Sequence, residues 1–271
     1  MSSIVRATPA QTTRRLIVLG TALFAVIVGQ AQVALGWGQT PAEFSADSDT
    51  TLRVAGYAFA IWGVIYLGLL VYAVRQVLPQ TGESLLIHRF GWPSALAFAG
   101  IGLWVVAAAL DAEVATIVLI FGSLAVVLIP LLQNAGAIRA LPVRERDRWM
   151  VVWPMALLAG WLTVAAPLNL ITVATGNGDL PAFLSPTVWA VIAIGVVVAA
   201  ALAVTQRIRT VAYVIPIAWG LLGAFVAEQP RNTTLAYVAL AAAVAVLVGA
   251  IILSLGLIRG VERRDAVRND T

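Results

Sequence analysis

The sequence predicts an all-α integral membrane protein with about eight transmembrane helices, and three observations predict it. First, 61% of the 271 residues are hydrophobic and 11% are charged, against about 25% charged in soluble domains. Second, the charges sit in short clusters between apolar runs long enough to cross a hydrocarbon layer of roughly 30 Å. Third, the 17 basic residues, all Arg, segregate to alternate loops. With the N-terminus inside, only Arg53 and Arg231 fall on the outer side, the positive-inside bias that orients membrane proteins.

The elements follow in order. The first apolar run covers residues 16–35 behind Arg14 and Arg15. It is read as a span and not a cleaved signal, because it continues past the small residues around Gly29 and Ala31. Residues 36–50, rich in Gly, Ser, Thr and Asp, form the longest linker and lie outside. Further runs cover 54–77, 90–110, 114–138 and 149–174. A connection with Gly176, Gly178, Pro181 and Pro186 then divides five helices from three more, at 187–205, 211–227 and 235–257. The seventh is the shortest and contains Pro216. Outer loops carry Glu43, Asp47, Asp49, Asp111, Glu113, Asp179 and Glu228, while residues 1–14 and 258–271 fall on the cytoplasmic side. No internal repeat supports an inverted-repeat transporter.

Composition also excludes chemistry. Without Cys there are no disulfides, thiolate metal sites or Cys nucleophiles. Without Lys there is no Schiff base to retinal or pyridoxal. The single His, His88, is placed in a loop beside Arg89, so no pair of His can hold a haem within the membrane. The net charge of +4 reflects orientation in the bilayer and not nucleic-acid binding. No Asp, Glu, Arg or His falls in mid-span, which counts against pumps, proton-coupled carriers and intramembrane hydrolases. The chain is therefore read as a non-enzyme, with no covalent cofactor and no metal.

What remains in the spans is polar but uncharged, or aromatic. Gln30, Gln32, Thr163, Asn169 and Thr172 suit hydrogen bonds to a neighbouring helix or to their own backbone. Of nine Trp, Trp37 and Trp189 outside and Trp92, Trp149 and Trp153 inside suit interfacial belts. Trp62, Trp104, Trp161 and Trp219 sit deeper. On a helix, Phe59, Trp62 and Tyr66 fall within about 60° of arc, and Trp161, Ala165, Leu168 and Asn169 within about 100°. Two such faces turned together would wall an aromatic, mostly apolar cavity, with one amide to orient a guest. Ordinary packing is the competing reading of the same spacing. Pro167, which removes a helical bond to Thr163, predicts a bend that widens the cavity beside Trp161. Leu70-x-Tyr72-x-x-Arg75 matches a proposed cholesterol pattern too loose to carry an assignment.

The same residues carry a resemblance. Phe59-x-x-Trp62-x-x-x-Tyr66 in the second span resembles the second-helix signature of the TspO/MBR family, the tryptophan-rich sensory or translocator proteins. Trp161-x-x-x-Ala165-x-x-Leu168-Asn169 in the fifth span is similar to that family's fifth-helix motif, and Trp104 sits where its third-helix Trp is expected. The resemblance covers residues 15–175, with 176–271 as a three-helix C-terminal extension. It implies a five-helix bundle whose cavity, lined by Phe59, Trp62, Tyr66, Trp104, Trp161, Ala165, Leu168 and Asn169, binds a porphyrin-like tetrapyrrole or another flat aromatic ligand. The chain departs from the family pattern at Ile101, where members usually have Asn, at Pro154 and at Pro167.

The leading expectation is thus a membrane protein, in a bacterial inner or plasma membrane, that senses or transports a flat aromatic or apolar molecule. Its partners are the lipid bilayer, that ligand and, in a homodimer, a second copy. A flat guest would stack between Trp62 and Trp161, and Trp161→Ala would weaken porphyrin binding with little loss of stability. The alternatives are a transporter with a path between the five-helix core and the last three helices, or a structural subunit whose Trp only pack.

Overall fold

A computed structural model describes residues 7–47, 52–78 and 84–269, the side chains of Asp47 and of residues 254–269 excepted. Arg6 and Asp49, on which the charge pattern partly rests, lie outside the described residues, as do the side chains of Asp47, Arg259, Arg263, Arg264 and Arg268. All regular structure among the described residues is helical. In order, the helices are α1 (Pro9–Leu35), α2 (Pro41–Asp47), α3 (Ile61–Val77), α4 (Leu85–Ala109), α5 (Glu113–Gln133), α6 (Ala135–Ala140), α7 (Trp153–Gly176), α8 (Pro186–Ile208), α9 (Val211–Glu228) and α10 (Thr233–Asn269). Eight helical segments are long and apolar enough to cross a bilayer. The protein is a multi-pass integral membrane protein.

Helix starts depart from the apolar runs where capping chemistry extends them. Thr8 and Gln11 form a reciprocal capping box, so α1 starts at Pro9 and takes in Arg14 and Arg15. Ser84 caps α4 by accepting the Ile87 N–H. His88 is therefore in the first turn of a helix and not in a loop, where its Nδ1 meets the Arg14 guanidinium at 3.2 Å. The fourth run, expected to continue to residue 138, breaks at Asn134. That side chain donates to the Pro130 carbonyl and accepts from Arg89. Residues 148–152 form a π-helical turn ahead of α7, and residues 56–60 a 3₁₀ turn ahead of α3.

α1, α3, α7, α5 and α4 pack successively into a closed ring of five helices. α9 packs along α7, and α8 and α10 complete that side. The α7–α9 approach is close because Gly160 faces the Tyr213 backbone, where a Cβ would overlap the carbonyl oxygen. Nearby, the Thr163 hydroxyl meets the Tyr213 hydroxyl at 2.8 Å. Tyr72, from the cholesterol-like pattern, is fully buried with its hydroxyl on Ser94, so it does not face lipid.

Candidate functional site

The site is built around a short helix that the apolar runs do not mark. In Thr40-Pro41-Ala42-Glu43, the Glu43 N–H donates to the Thr40 hydroxyl at 3.2 Å, and the Thr40 N–H donates to the Glu43 carboxylate at 2.7 Å. This capping box starts α2 within the linker. The Thr40 backbone N–H, then its hydroxyl, hold the Glu43 carboxyl below its usual value. A depressed carboxyl supports the fold above its unfolded pKa, so the cap loosens only as pH falls below the ordinary carboxylate range. α2 lies against α4 and α7 and turns Phe44 inward, edge-on to Trp104 at 6.1 Å.

Beneath Phe44 is a cavity whose space, counted together with the open solvent at its mouth, is about 600 Å³. Phe59, Trp62, Trp104, Trp161, Ala165, Leu168 and Asn169 all line it. Six of these were grouped by helical spacing and Trp104 by the family resemblance, and the fold brings all seven to one place. Tyr66 is apart. Its ring stacks on Trp62 at 5.3 Å and 29°, and its hydroxyl end abuts Gly29 of α1. Tyr66 thus supports the Trp62 ring from behind and does not line the cavity. Phe59 reaches the cavity from the 3₁₀ turn and not from the α-helical arc assumed for it.

Three further expectations need correction. Trp62 and Trp161 meet edge to face, with centroids 6.2 Å apart and planes at 79°, and Phe59 meets Trp161 in the same way at 6.0 Å and 81°. A flat guest therefore cannot enter between the two indoles and can only lie against the wall they form. Asn169, expected to orient a guest, is engaged within the protein. Its Oδ1 accepts the Trp104 indole N–H at 2.9 Å, and its amide N–H donates to the Thr116 hydroxyl at 2.9 Å. The Thr116 hydroxyl in turn donates to the Glu113 carbonyl. A buried amide without partners costs about 1–3 kcal/mol, and this chain satisfies it while joining α4, α7 and α5. Finally, α7 continues through Pro167, and Pro167 faces a separate cavity among α7, α8 and α9, not the one beside Trp161.

Two other polar groups stand at the cavity, the hydroxyls of Ser45 and Thr172. Both residues line the cavity, both are more than nine-tenths buried, and neither hydroxyl has a hydrogen-bond partner among the described residues. Thr163 and Thr175 return their hydroxyls to their own helix, and Thr172 does not. Thr172 was visible as a polar residue within a span, but its lack of a partner is a tertiary fact. Ser45 sits in the linker and carried no signal beyond the capping box two residues before it.

The wall opposite α2 includes Gly220 of α9. The same helix clasps the chain entering α3. The Trp219 indole N–H donates to the Ala58 carbonyl at 2.8 Å, the Ala55 N–H to the Gly223 carbonyl at 3.0 Å, and the Arg53 N–H to the Glu228 carboxylate at 2.7 Å. The seventh span thus belongs to the wall of the site, not to a separate layer.

The family model described as TSPO-like protein matches residues 15–252, a stretch that runs past residue 175 into the eighth span. No curated protein and no solved structure matches the chain.

Proposed function

Because the chain belongs to the family of TSPO-like proteins, we propose that it binds a flat aromatic or apolar small molecule in the cavity under α2, for sensing or transport. Seven aromatic, apolar and amide residues from four elements lining one roofed cavity is the observation that carries this reading. A porphyrin-like ring is the first candidate. It would lie with one face on the indole wall, where stacking contributes about 1–3 kcal/mol. Ser45 and Thr172 supply the hydrogen bonds that fix its edge, since their hydroxyls have no other use among the described residues. The role is that of a binding protein and not a catalyst.

Protoporphyrin IX should quench the intrinsic Trp fluorescence of the purified chain in a saturable manner. Thr172→Val conserves shape and removes only the hydroxyl. It should weaken binding roughly tenfold, the value of about one hydrogen bond. The same change should raise the melting temperature of the ligand-free protein, because an unpaired buried hydroxyl is destabilising. Non-saturable quenching of the parent chain would overturn the reading.

The distribution of Arg supports an orientation with both termini in the cytoplasm, and the mouth under α2 then opens on the outer face. Reporters fused to each end should be active only when cytoplasmic. A periplasmic signal from either would reverse the assignment.

A further inference from the structure

We infer that the turn joining α8 to α9 holds the phosphate of an anionic phospholipid, through Arg139, Arg207 and Arg209. Arg139, exposed on α6, donates from its guanidinium to the Arg207 carbonyl in the last turn of α8. This bond carries one cation onto the backbone that bears the other two. The Arg209 Nε is buried and has no hydrogen-bond partner, and among the described residues no ion pair reaches any of the three. Asp147, between α6 and α7, is already paired with Arg75 at 3.3 Å. Cations gathered without a carboxylate repel one another, and a buried N–H without an acceptor is costly. A phosphate oxygen relieves both.

The C-terminal end of α8 attracts cations in its own right. Its carbonyls account for the Arg139 guanidinium and for the Arg209 backbone N–H, which donates to Thr205 at 2.8 Å. They do not account for the Arg209 side chain. Arg209 closes α8 in the left-handed conformation, at φ 49° and ψ 47°, where Gly is the usual occupant. An Arg kept there at that cost has a use beyond ending the helix.

The position selects a lipid. Arg209 and Thr210 alone separate α8 from α9, so these charges lie where two spans end, which is headgroup depth. Val211 and Ile215, in the first turns of α9, are 42% and 40% exposed and offer acyl chains an apolar surface close to the charges. A lipid seated there ties α6, which follows α5 of the ring, to the turn between α8 and α9.

The test is thermal unfolding of the full chain in dodecylmaltoside micelles. These contain either dioleoylphosphatidylglycerol or the same fraction of dioleoylphosphatidylcholine. Phosphatidylglycerol should raise the midpoint by about 3–6 °C over phosphatidylcholine, and millimolar inorganic phosphate should not. Arg139→Gln and Arg209→Gly should each lose most of that difference. Their own midpoints separate binding from folding. Arg139→Gln removes a cap from α8 and should start lower than the parent, whereas Arg209→Gly suits a left-handed cap and should start higher. The double variant Arg144→Gln, Arg146→Gln, exposed in the neighbouring loop, should keep the full difference. Equal midpoints of the parent in the two lipids would overturn the inference. An equal loss in the double variant would also overturn it, by making the attraction diffuse. The same gain from inorganic phosphate would overturn it too, by making the ligand soluble.

Discussion

Gly160→Ala is expected to force α9 away from α7 and to destabilise the protein by about 3 kcal/mol or more. Overpacking usually costs about 1–3 kcal/mol because side chains can yield. Here the new methyl would meet the Tyr213 carbonyl, which is backbone, and the Pro216 ring, which is rigid. Neither can move without the helix. Because Gly220 of α9 lines the cavity and Trp219 holds the 3₁₀ turn that carries Phe59, the displacement should also reduce probe binding. Gly195→Ala is the control, since a Cβ there has nothing within 4 Å and Ala favours a helix by about 1 kcal/mol over Gly. Thermal unfolding in detergent should place the two variants on opposite sides of the parent. If they unfold alike, the close approach of α7 and α9 is not what holds the site together.

Trp161→Ala should weaken ring binding and also lower stability by about 3–5 kcal/mol, the usual cost of truncating a buried Trp. The sequence alone suggested that stability would be spared, because it treated the indole as a free wall. In the fold that ring is 3% exposed and packs on Phe59 and Trp62, with Gly220 against its edge. Binding and stability therefore need separating. Trp161→Phe keeps most of the packing and should retain measurable binding, whereas Trp161→Ala should bind at least tenfold more weakly even at temperatures where it remains folded. An Ala variant that binds as the parent does would remove Trp161 from the site.

How much of this was legible in the sequence depended on the range of the interaction concerned. Spans follow from local hydropathy, and all eight apolar runs became helices. The aromatic positions on α3 and α7 follow from helical spacing, which is also local. Asn169 was legible as a costly group but not as a satisfied one, because Trp104 and Thr116 lie 65 and 53 residues away. The edge-to-face contact of Trp62 and Trp161 depends on rotamers and helix separation that no pattern encodes. α2 is a different case. Thr40-Pro41-Ala42-Glu43 carries a start signal of known chemistry, but only one large apolar residue, Phe44, follows it, so an apolar-run criterion passes over it. The role of α9 was hidden because Gly220 contributes by the side chain it lacks and because the partners of Trp219 and Glu228 lie 161 and 175 residues away.

The clasp between α9 and the chain entering α3 has a consequence for biosynthesis. Ala58 and Trp219 are separated by 161 residues, and Arg53 and Glu228 by 175. At about 5–20 residues per second, the ribosome takes roughly ten to thirty seconds to make the second partner after the first. During that interval the nascent chain holds Phe59, Trp62 and finally Trp161 in the bilayer with one side of their pocket still unbuilt. The translocon or surrounding lipid must cover those rings until the seventh span arrives. The pocket is thus completed near the end of synthesis, and it is the late helix, not the aromatic motifs, that sets the earliest moment at which a ligand can be held.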